Sequence, residues 1–67
     1  MARQLDLKGR HFWILSEPGE ATVWKATVLE VNAGGDREAV GIEATAETRG
    51  AADDAAERKL RRMLQAY

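Results

Sequence analysis

The sequence predicts an α+β fold: a three-stranded antiparallel sheet in β-β-β-α order, with one C-terminal helix packed on one face. Three observations carry this. Residues 10–16 and 21–31 are rich in β-branched and aromatic types and flank the turn signal "EPGE". Residues 37–48 alternate apolar with small or polar side chains, the period of a strand with one wet face. Residues 49–66 are dense in strong helix formers.

Taken in order, residues 1–9 read in two ways. Leu5 and Leu7 alternate with Gln4, Asp6 and Lys8, which fits an extension of the first strand with Gly9 as a bulge or break. A flexible, frayed terminus fits equally. "RHFWILS" at 10–16 is the first strand proper. In "EPGE", Pro18 presets one φ of a reverse turn and Gly19 supplies a positive φ at the next position. "ATVWKATVLEV" at 21–31 is a second strand and "NAGGD" a glycine-rich reversal. The third strand, 37–48, points Val40, Ile42, Ala44 and Ala46 one way and Gly41, Glu43, Thr45 and Glu47 the other. Thr48 is a good N-cap for the helix over 49–66. Ala52, Ala56, Leu60, Met63 and Tyr67 share one helix face. Asp53 and Asp54 lie early and Arg58, Lys59, Arg61 and Arg62 late, which complements the helix dipole. Asp54 to Arg58 and Glu57 to Arg61 have the spacing of ion pairs one turn apart.

A hairpin closed at Pro18-Gly19 pairs Trp13 with Trp24 and Ile14 with Val23. One face then carries His11, Trp13, Leu15, Trp24, Ala26 and Val28, and the other Phe12, Ile14, Val23, Lys25 and Leu29. If "NAGGD" is a five-residue loop, Val31 opposes Arg37, Val28 meets Val40, Ala26 meets Ile42 and Trp24 meets Ala44. A two-residue loop at Gly34-Gly35 reverses the parity and places Lys25 in the core, an expensive burial. The first register is preferred: it sets both tryptophans under an alanine-rich helix and Lys25 beside Glu43. It leaves Phe12, Ile14, Val23 and Leu29 as an outer apolar patch, the expected protein interface.

The chain has 67 residues, which suits a single small domain. A core this small is marginal. With Cys 0 and His 1, disulfides and thiolate zinc sites are excluded, leaving oligomerisation as the extra source of stability. The lack of cysteine fits a cytoplasmic protein. Abundant arginine and alanine point to a bacterial one. A net charge of -1 gives no global attraction to nucleic acid or anionic membrane. No apolar run approaches the roughly 18 residues of a membrane span.

Catalytic chemistry finds little to use. His11 and Ser16 are the sole residues of their types and lack a recognisable triad. Asp53 and Asp54 point about 100° apart on a helix and do not converge. "NAGGD" matches no phosphate-binding motif. No enzyme, metal site or cofactor is expected. Arg58, Lys59, Arg61 and Arg62, with Arg49, form the one basic cluster, a candidate for nucleic-acid contact. It is offset by Asp54 and Glu57 and has no aromatic ladder.

Thr48 at the cap, Arg49 after it, and Ala52, Ala56 and Leu60 at four-residue spacing resemble the last helix of a double-stranded-RNA-binding domain, whose larger part also runs β-β-β-α. That resemblance implies RNA contact through Arg49 and the Arg58–Arg62 cluster. Gly50 and Asp53 stand where that pattern has basic residues, and a first helix is missing. "ETRGAADDAAERKLRRML" is similar to the C-terminal helix of HicB-like antitoxin domains, which implies binding a small toxic ribonuclease; the proline-glycine motif of those domains before the third strand is absent. The expectation is a small non-enzymatic protein-interaction or regulatory module, homodimeric or bound to a protein partner, with nucleic acid disfavoured and no membrane or metal partner.

Overall fold

A computed structural model describes residues 3–65. The sheet has four strands, not three: β1 (Arg3–Leu7), β2 (Arg10–Pro18), β3 (Trp24–Val31) and β4 (Arg37–Ala46), followed by α1 (Arg49–Gln65). The strands form an antiparallel meander in the order β1-β2-β3-β4. The added strand comes from the ambiguous N-terminal stretch. Lys8 and Gly9 both have positive φ, 52° and 75°, and Leu7 pairs with Arg10. That is a two-residue hairpin turn whose twist matches the flanking strands. Gly9 is therefore a turn residue, not a bulge. Leu5 and Leu7 face the helix side and pack on the core.

The second hairpin overturns the expected pairing. Pro18 is the last residue of β2 and pairs with Trp24, while Trp13 pairs with Leu29. The connection is residues 19–23, closed by the Gly19 amide donating to the Val23 carbonyl at 2.7 Å. A Cβ on Gly19 would approach that carbonyl to 3.2 Å, so glycine suits the closure. Ala21 supplies the left-handed residue, at φ 56°. This loop moves the register by an odd number of residues, and an odd slip turns every side chain of a strand to the other face. Phe12 and Ile14 consequently lie in the core at 0% exposure, and Trp13 and Leu15 face outward.

The third hairpin opens as expected, with Val31 opposite Arg37. Asn32 organises its loop: its Oδ1 accepts from the Gly34 and Asp36 amides at 2.9 and 3.1 Å. Farther on, Thr27 pairs with Glu43 but Leu29 with Ala39, so Val40, Gly41 and Ile42 stand opposite Val28 alone. Gly41, at φ 79°, allows this bulge. It replaces the expected partners of β3: Ala26 pairs with Ala44 and Trp24 with Ala46. The bulge preserves parity, so Val40, Ile42, Ala44 and Ala46 all remain on the core side.

Thr48 caps α1, its Oγ1 accepting from the Ala51 amide at 3.1 Å. Ala52, Ala56, Leu60 and Leu64 are buried against the sheet, with Met63 partly buried. Tyr67, expected on the same stripe, lies outside the described residues. Ala26 and Ala44 on the sheet oppose Ala52 and Ala56 on the helix, all buried. Small residues on both layers draw the helix close instead of leaving room for two indoles. Trp24 is half-buried at one end of the core, with the Arg49 guanidinium 6.0 Å from its ring centroid. At the other end Arg10 lies 5.2 Å over Phe12 and makes a two-point contact with Glu30 at 2.6 and 2.8 Å. That hydrogen bond holds the Glu30 carboxyl below the usual glutamate range.

Candidate docking surface

The helix covers one face of the sheet; the other carries no element among the described residues. Its side chains follow from the pairing. Gln4, Trp13, Leu29 and Ala39 lie abreast across the four strands. Asp6, His11, Val31 and Arg37 form the row on one side of it, while Leu15 pairs with Thr27 on the other. Beyond that, Glu17 pairs with Lys25. The centre is apolar: Trp13, Leu29 and Val31 are half-buried by neighbours within the sheet, and Leu15 is the one exposed large hydrophobic among the described residues, at 36%.

Charge rings this centre. Arg37 reaches across Val31 and places its guanidinium 4.5 Å from the Trp13 ring centroid. Asp6 contacts His11 Nδ1. Lys25 pairs with Glu43 at 3.5 Å, diagonally across β3 and β4. An apolar centre with a charged rim is the anatomy of a protein interface.

Of the four residues expected to make the outer patch, only Leu29 does. Phe12 and Ile14 belong to the core, and Val23 sits in the β2–β3 loop. Trp13, Leu15 and Val31 take their place. Alternation could not have found them, because β2 is apolar on both sides: Phe12 and Ile14 interleave with Trp13 and Leu15. A loop-length signal, five residues with a left-handed Ala21, would have been needed.

The basic residues are dispersed. Arg49 ties the start of α1 to β2 by donating to Ser16 Oγ at 3.0 Å. Lys59 donates to the Glu43 carbonyl at 2.9 Å, and Arg61 pairs with Glu57 at 3.0 Å as its spacing predicted. Asp54, expected to pair with Arg58, instead bonds Arg3 at 2.9 Å, and Glu57 joins it at 3.1 Å. These bonds hold the Arg3 guanidinium even more firmly charged, the Asp54 hydrogen bond contributing most. Arg58 and Arg62 are exposed and make no ion pair among the described residues.

Asp53 departs furthest from expectation. It is 8% exposed, on the helix face turned to the sheet, and its Oδ1 meets no hydrogen-bond donor. A cleft of about 140 Å³ lies between the β1–β2 turn and the end of α1, lined by Leu7, Lys8, Arg61, Leu64 and Gln65. It is below the roughly 300 Å³ at which ligand pockets begin. Among the described residues no group of three acidic or histidine side chains is placed to hold a metal. Nor is any helix long and apolar enough to cross a membrane.

No family model, curated protein or solved structure matches this chain.

Proposed function

We propose that this chain is a small non-enzymatic protein-interaction module that docks a protein on the outer face of its sheet. The observation that carries the reading is the row Trp13–Leu29–Ala39, flanked by Leu15 and Val31 and ringed by Asp6, Arg37, Glu17 and Lys25. Half-buried aromatic and aliphatic side chains lose little entropy on docking, and tryptophan is enriched where binding energy concentrates. The lack of cysteine accords with action in the cytoplasm. A toxin-like partner of the kind HicB-like domains bind falls within this reading.

The test compares Trp13→Glu with the helix variant Arg58→Glu/Arg62→Glu, both checked for native circular dichroism. Association, scored by cross-linking in a cell lysate, should fall at least tenfold for Trp13→Glu and persist in the helix variant. Loss in the helix variant alone would overturn the reading.

A second reading, nucleic-acid binding, rests on the exposed Arg58 and Arg62. Phosphate contacts there would give duplex-RNA binding that weakens steeply as salt rises. The net charge of -1 and the adjacent Asp54 and Glu57 weigh against it.

A further inference from the structure

We infer that the partner on the outer face is a second copy of the chain, packed about a two-fold axis parallel to the strands and midway between β2 and β3. The inference rests on reading that face as a docking surface, and the order of its rows supplies the rest. An axis along the strands keeps each row at its own height and exchanges its two sides. In the first row, Asp6 on β1 and Arg37 on β4 stand at opposite ends. The operation sets the Asp6 position over the partner's Arg37 position and the reverse, and Arg37 swings off the Trp13 ring, which it covers in one copy alone, to make the pair. Glu17 on β2 and Lys25 on β3 also share a row. Glu17 then faces the partner's Lys25, and the reverse. Each contact occurs twice, as an isologous interface requires.

The interior of the patch matches as well. Trp13 falls over the partner's Leu29, Leu15 over the partner's Thr27, and His11 over the partner's Val31. Among the described residues no like charges meet. An axis across the strands does worse: midway between the Trp13 and Leu15 rows it places Lys25 over the partner's Val31 and sets neither Asp6 nor Arg37 against an opposite charge, and through the Trp13 row it pairs Arg37 with the partner's Glu43 but leaves Asp6 without a described opposite charge. Aligned sheets pack about 10 Å apart and about 30° off parallel, a displacement that arginine and lysine side chains can span.

Size agrees with a modest, reversible dimer. β2 and β3 have 9 and 8 residues. Four strands about 4.8 Å apart, averaging about 26 Å in length, present roughly 500 Å² in plan. Two such faces bury about 1,000–1,200 Å², the lower bound of specific interfaces.

Charge exchange tests the arrangement. Sedimentation equilibrium at low salt would compare wild type, Asp6→Arg, Arg37→Asp and an equimolar mixture of the two variants, all with native circular dichroism. Wild type should associate as concentration rises. Each variant alone opposes like charges at two places and should associate at least tenfold more weakly. The mixture should recover the dimer, because unlike charges face each other again at both places. A wild type that stays monomeric at millimolar concentration would overturn self-pairing. So would a mixture that stays as weak as its components. If Trp13→Glu still abolished capture of another protein in either case, the docking face would stand and only the identity of its occupant would fall. A dimer untouched by Trp13→Glu would remove both.

Discussion

Phe12 and Trp13 are adjacent in the chain and end in opposite environments. Phe12 is fully enclosed beneath α1; Trp13 lies on the outer face under the Arg37 guanidinium. Truncating a buried phenylalanine typically costs about 3–5 kcal/mol, since the lost transfer energy adds to the cavity left behind. Phe12→Ala should therefore unfold much of the population in water. Trp13→Ala should cost no more than about 1 kcal/mol, the scale of a cross-strand contact. Urea titration followed by circular dichroism separates the two; equal losses would contradict the observed parity of β2. Asp53 makes the converse case. Its Oδ1 is buried without a donor, a desolvation cost that the attraction between its charge and Arg3 offsets only in part. Replacing it by alanine also raises helix propensity. Asp53→Ala should leave stability unchanged or raise it by up to about 1 kcal/mol, and a clear loss would mean that the attraction to Arg3 outweighs the unpaired Oδ1.

At the scale of elements, the helix was the most legible part. Thr48 marks its start and the small and apolar residues repeat at helical spacing, because capping and periodicity are local properties. Thr48→Ala removes the acceptor for the Ala51 amide and should cost about 1 kcal/mol, read from the thermal midpoint. β4 was nearly as legible, since alternation shows which side is wet. Its bulge was not. Gly41 occupies an outward position where glycine reads as a neutral surface choice, and only its φ of 79° reveals the bend. β1 was half legible: Leu5 and Leu7 alternate, but a five-residue strand is stable only when β2 lies beside it.

Over the whole molecule, one helix shields one face of the sheet, and no element among the described residues covers the other. Long-range ion pairs join the ends of the chain: Arg3 on β1 bonds Asp54 and Glu57 on α1. Arg10 with Glu30 closes one end of the core over Phe12, and Arg49 shelters Trp24 at the other. The core between them is built from short side chains, with Phe12, Ile14, Leu60 and Val28 its largest fully buried members. Such a core contributes little margin, and burying Trp13, Leu15, Leu29 and Val31 in a dimer would enlarge it without lengthening the chain.

Some features were determined by the sequence itself: the helix and its cap, the inward side of β4, and the Val31–Arg37 pairing. Each depends on residues within a few positions of one another. Tertiary structure decided which face of β2 is buried, and with it the location of the candidate site. Both sides of β2 are apolar, so local pattern is indifferent between them. The choice falls to the closure of residues 19–23 and to how closely an alanine-faced helix approaches the sheet. Those are interactions between distant segments, and they place Phe12 inside and Trp13 outside.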